Sequence, residues 1–168
     1  MFDRSNWAIN RYFNKVLDAI LKLHYAYIKR PSKRTYSKIL NNSMFYRYFK
    51  DSIGAIDGTH IKANIPLEEQ QRFWNRNGYL SQNEMATCTF DIQFTYVLVG
   101  WEGSTTDSCV LKDALTPRDR LFVPEGKHYL VDASYVNLPG FLPLYRGTRY
   151  HLQEFGDNIP RNEKELFN

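Results

Sequence analysis

The pattern of the chain predicts an α/β fold, a mixed sheet with flanking helices preceded by a short helical N-terminal segment, and three observations lead there. Residues Ser52 to Ile65 alternate as a strand does, with one carboxylate, Asp57, interrupting the row. Two further strand-like runs, Glu84 to Phe90 and Phe94 to Trp101, are separated by only Asp91-Ile92-Gln93, and so short a link makes an antiparallel hairpin. A helical segment then leads to a short apolar strand, Lys127 to Asp132, that ends in a second carboxylate.

Bulk properties set the frame. At 168 residues the chain suits one domain, and 43% hydrophobic with 24% charged residues argues against wholesale disorder. A net charge of +4 and a pI of about 9.0 favour anionic partners, nucleic acid among them. Aromatics at 15% suit base stacking and an aromatic core equally. Cys88 and Cys109 are the only cysteines, which excludes a disulfide framework or a paired-cysteine zinc site and points to a reducing compartment. No apolar run approaches the ~18 residues of a membrane span, so the expectation is a soluble intracellular protein with no membrane partner.

In order along the chain, Ile9, Tyr12, Phe13, Val16, Leu17, Ile20 and Leu21 recur at helical spacing, predicting an amphipathic helix from Trp7 to Leu23 with Ser5 or Asn6 as its cap. Lys29, Arg30, Lys33, Arg34 and Lys38 follow in a segment that either touches phosphates or is a solvated linker, the usual reading of such a run. Tyr36 to Lys50 predicts another short helix. Beyond the Asp57 strand, Pro66 to Gly78 reads as a short helix or loop. After the hairpin, Thr106 or Asp107 caps a helix that runs through Leu115 and stops at Pro117. Pro139 to Gly147 is too interrupted for a helix, Thr148 to Glu154 predicts a last edge strand, and Glu163 to Phe167 begins to look helical.

Asp57 shares its strand face with Ile53, Ala55, Thr59 and Ile61. A carboxylate in an apolar row calls for a partner such as a metal ion, unless it simply hydrogen-bonds the Gly58-Thr59 backbone as a turn. Asp132 ends a second strand in the same way. Strand, hairpin, helix and a further strand tipped with Asp is the order in which an RNase H-like fold brings two acidic residues together.

Four strings carry a family resemblance: Gly54-Ala55-Ile56-Asp57-Gly58-Thr59-His60-Ile61, Tyr96 to Ser104 followed by Asp107-Ser108, Tyr129-Leu130-Val131-Asp132-Ala133, and Tyr145 to Leu152. In that order they resemble the Harbinger-type DDE transposases and the nuclease-like proteins derived from them. The resemblance implies an RNase H-like domain over residues 49–168, behind a helical segment at 1–48, that cuts DNA phosphodiesters in the nucleus. It implies a divalent cofactor, Mg²⁺ or Mn²⁺, held by Asp57 and Asp132 as the catalytic and metal-binding aspartates, and a separate DNA-binding partner protein. Hard oxygen ligands at strand ends are what such an ion requires. Asp107 sits in the family's Gly-Ser-x-x-Asp-Ser pattern, either assisting the site or capping its helix, the cap being the commoner role. His60, on the opposite face from Asp57, is expected to be a packing or hydrogen-bonding residue. Arg146 and Arg149 either meet phosphates or, for Arg149, pair with Glu154.

The pattern differs from the family's in two places. Ser134 stands where a glycine is expected, which would cost stability if the backbone there had positive φ. The family's third acid is a Glu on a helix following a Phe-Asn-containing segment, whereas Leu166-Phe167-Asn168 are the last residues given. The expectation is therefore a domain without its final helix, impaired in cleavage, with a non-cutting relic that serves as a binding protein as the alternative.

Overall fold

The structure, a computed structural model, describes residues 4–117, 120–149, 153, 156 and 159–168. Helix α1 spans Asn6–Lys22, its first turn closed by Ser5, whose hydroxyl accepts from the Ala8 amide at 3.3 Å. Its apolar stripe faces solvent, with Trp7 69% and Phe13 65% exposed. Three short helices follow, α2 (His24–Tyr27), α3 (Ser37–Leu40) and α4 (Ser43–Phe49); the single helix expected over Tyr36 to Lys50 is broken where Asn42 caps α4.

The sheet comes next in the chain. Strand β1 (Ser52–Lys62) leads through a 3-10 turn at Leu67–Glu69 and helix α5 (Gln70–Phe73) to β2 (Ser81–Cys88), then β3 (Phe94–Glu102). Helix α6 (Asp107–Ala114), β4 (His128–Val131), β5 (Phe141–Pro143) and α7 (Glu163–Phe167) complete the order. The five strands lie as β3-β2-β1-β4-β5, with β1/β2 and β2/β3 antiparallel and β1/β4 and β4/β5 parallel. The short link between β2 and β3 forces their antiparallel pairing, and the longer path through α6 permits the return of β4 parallel to β1. In the β2–β3 link the Thr89 hydroxyl accepts from the Asp91 and Gln93 amides, and Ile92 takes φ 60°.

Alternation along β2 divides the sheet into two unlike faces. Ser81, Asn83, Met85 and Thr87 are buried, while Gln82, Glu84, Ala86 and Cys88 are half-buried. The buried face packs Ile56, Met85, Tyr129 and Val131 against Val110, Leu111 and Ala114 of α6 and against Leu121, Tyr135 and Phe141. Trp101 ties α6 to β3, donating to Asp113 Oδ2 at 3.2 Å. A register irregularity between Ser52 and Gly54 disturbs the phase of β1, and a Cβ at Gly54 would run into the Cys88 carbonyl oxygen.

Two sequence expectations are corrected here. The row around Asp57 is not a buried apolar one: Ile53 is buried, but Asp57, Thr59 and Ile61 are exposed, because they share the face of Gln82, Glu84 and Ala86. The edge strand is β5, inside the segment read as too interrupted, since a three-residue edge strand tolerates Pro143 where an inner one would not. Thr148 and Arg149 are not in a strand, and Tyr150, His151, Leu152 and Glu154 lie outside the described residues.

Candidate active site

Parallel pairing of β1 with β4 sets Ile56 opposite Val131, so the next residue of each, Asp57 and Asp132, is carried to neighbouring positions of the sheet. Asp57 Oδ1 accepts from the Gly58 amide at 2.8 Å, and Asp132 Oδ1 from the Ala133 amide at 2.5 Å. The Gly58 bond is the one the turn reading foresaw, but it forms within a strand. Burial raises the Asp57 pKa above the ordinary carboxylate range; the Gly58 amide opposes this, and the charges of Asp132 and then Asp107 add to it.

Asp107 is not the cap of its helix. Thr106 holds that position without a side-chain bond, and Asp107 is the first helical residue. Its carboxylate turns to the sheet, accepting from Asn83 Nδ2 at 3.2 Å and from the Ser134 hydroxyl at 3.5 Å. It lies against Gly58, where a Cβ would be 2.7 Å from Asp107 Oδ1. Glycine at 58 thus lets a third carboxylate approach the strand that carries Asp57. The Gly-Ser-x-x-Asp-Ser spacing flagged this residue, but a helix-start position alone does not separate a cap from a site residue.

The turn after Asp132 is held from two sides. Arg146 donates to the carbonyls of Ala133 at 2.7 Å, Tyr135 at 3.2 Å and Ser134 at 3.3 Å, and the Ser108 hydroxyl donates to Ser134 O at 3.1 Å. Arg146 therefore works as a backbone clamp on the turn. Ser134 carries no positive-φ strain, since Ile92 is the one such non-glycine among the described residues. Sequence reasoning missed Tyr135, which is 1% exposed and buried in the core. Burial holds its phenolic proton more firmly than usual, reinforced by the charges of Asp107, Asp57 and Asp132 in that order.

The remaining candidates have structural partners. His60 lies on the inner face and shares a 3.1 Å hydrogen bond with Ser81 Oγ. Arg149 pairs with Glu165 at 2.8 Å, and Glu154 lies outside the described residues. From the basic segment, Lys38 donates to Phe90 O at 3.1 Å, and the Arg30 guanidinium sits 5.2 Å from the Phe122 ring centre.

The donor chemistry of the strand ends suits a hard divalent cation. Asp57, Asp132 and Asp107 offer carboxylate oxygens, and among the described residues none of the three is ion-paired with Lys or Arg. Also among the described residues, no three His, Cys, Asp or Glu side chains stand close enough to enclose an ion.

Comparison with family models matches residues 56–166 to the DDE superfamily endonucleases. No curated protein and no solved structure gives a match. The matched span covers most of the chain and takes in Asp57, Asp107, Asp132 and nearly all of the mixed sheet described above. The chain belongs to the DDE superfamily of endonucleases, on a mixed sheet of RNase H-like kind.

Proposed function

We propose that this chain is a metal-dependent nuclease of Harbinger-transposase descent acting on DNA phosphodiesters, with Asp57 and Asp132 holding Mg²⁺ or Mn²⁺ and Asp107 supporting them. The observation that carries the reading is that Asp57 and Asp132 each directly follow a residue of the paired Ile56 and Val131 on neighbouring strands, with Asp107 lying against Gly58 of the same strand. Endonucleases of this superfamily usually use divalent metals, which stabilise the attacking and leaving oxygens of an in-line displacement.

The chain's own residues would prepare that chemistry. Backbone amides of Gly58 and Ala133 each fix one carboxylate oxygen, leaving the other oxygen of each pair for a cation. Burial raises the Asp57 pKa first, with the charges of Asp132 and Asp107 adding to it, and a bound cation would offset that like-charge repulsion. Arg146 keeps the Asp132 turn from shifting as that happens. On this reading residues 49–168 carry the nuclease unit and 1–48 a helical approach to it, the protein works in the nucleus, and a separate DNA-binding protein supplies target choice.

The test is nicking of supercoiled plasmid with Mg²⁺ or Mn²⁺. Asp57→Ala and Asp132→Ala should each lower the rate at least about 100-fold. Cleavage unchanged by both would overturn the reading. A second reading, a relative that binds metal and partner without cutting, is favoured by the engagement of Glu165 with Arg149, which removes one acidic residue from service at the site. Metal binding without nicking is the outcome it expects.

A further inference from the structure

The turn after Asp132 buries a hydroxyl that the chemistry above does not use. Tyr135 is 1% exposed, and its hydroxyl oxygen has no hydrogen-bond partner among the described residues. An unpaired buried hydroxyl is costly, and phenylalanine would fill the same space without it, so packing gives no reason for the oxygen. Its surroundings do. A Cβ at Gly58 would be 3.5 Å from the Tyr135 hydroxyl and 2.7 Å from Asp107 Oδ1, which puts both oxygens along the inner side of β1, at the residue next to Asp57. Asp107 is already held by Asn83, which donates to that same Oδ1, and by Ser134, which donates to Oδ2. Asn83 is fixed in turn by donation to Thr105 O at 2.9 Å.

We infer that Tyr135 is a positioning residue for the carboxylate site, its hydroxyl being the donor that Asp107 would take up beside Gly58 when the site holds a divalent cation. The inference rests on the metal-dependent reading above. As a neutral hydroxyl among carboxylates, Tyr135 can only be the donor. Asn83 holds Asp107 Oδ1 and Ser134 holds Oδ2, and Tyr135 would add a further donor to that carboxylate beside Gly58. The hydroxyl that stands idle without metal is then the one that completes the shell around Asp107 with metal bound. Partners of this outer kind govern how firmly a ligand is oriented.

The experiment is a Mn²⁺ titration of the full chain, reading free Mn²⁺ by electron paramagnetic resonance, with melting curves taken without metal. Wild type, Tyr135→Phe, Asp107→Asn and the double variant are compared. Tyr135→Phe should melt at or above the wild-type temperature without metal yet bind Mn²⁺ about 10-fold more weakly. In the Asp107→Asn background the same change should have no further effect, because the two act through one contact. Wild-type Mn²⁺ affinity in Tyr135→Phe would overturn the assignment while leaving the metal site intact. So would an equal loss in both backgrounds, or a Tyr135→Phe chain that is less stable without metal, which would show that the oxygen serves the fold. A wild-type chain that binds no Mn²⁺ would overturn both this inference and the metal-dependent reading.

Discussion

Asp57 meets two opposed demands. Its surroundings withdraw solvent and crowd it with Asp132 and Asp107, which raises its pKa, while the Gly58 amide favours the ionised form. Between the ordinary carboxylate range and that raised value the folded chain binds more protons than the unfolded one. Stability therefore falls as pH rises through that window. Asp57→Asn removes the penalty. It should stabilise the metal-free protein at pH 7 by at most about 1 kcal/mol, the carboxyl being solvent-screened, and the gain should vanish below about pH 4. Melting curves at both pH values check this, and a variant less stable than wild type at pH 7 would contradict it. The choice of aspartates was legible because two strand-like runs end or break on a carboxylate. The placement of Asp107 and Tyr135 beside Gly58 was not, since it depends on what lies across that residue in space.

At the scale of elements, β1 and β4 begin side by side, and their first residues make a buried polar lock. Ser52 and His128 share a 2.7 Å hydrogen bond, and Lys127 pairs with Asp51 at 3.0 Å. Burial lowers the His128 pKa, with Asp51 opposing and Lys127 assisting. The unfolded chain takes up the proton near pH 6.5, whereas the folded one resists it, so stability is lost as pH falls below about 6.5. Urea midpoints at pH 7.5 and 5.5 should show that loss in wild type and a smaller one in His128→Gln. An unchanged slope would dismiss the lock as the source. The hairpin, α6 and β4 were legible from periodicity and capping chemistry. Strand β5 was not, because three residues containing Pro143 carry no period, and only the exposed edge of β4 makes a strand of them.

Across the whole molecule, α6 joins stability to chemistry. Val110, Leu111 and Ala114 bury its inner side in the core while Asp107 at its start reaches the site. Leu111→Ala should cost about 2–5 kcal/mol in denaturant unfolding and weaken Mn²⁺ binding as Asp107 loses its seat. A full loss of stability with metal affinity intact would separate the two roles of the helix. The same scale explains the unlike faces of the sheet. Alternation in β1 and β2 announces that there are two faces, but not which of them a helix will cover.

By itself the sequence determined the α/β class, the strand-hairpin-helix-strand order and the family, because each is written in local periodicity or in contiguous strings of residues. Only the tertiary structure decided that Asp57 lies on the open face, that Asp107 leaves the cap role and lies against Gly58, and that the Tyr135 hydroxyl is buried beside it. Those outcomes depend on side chains distant in sequence competing for the same space, and no local pattern encodes that competition.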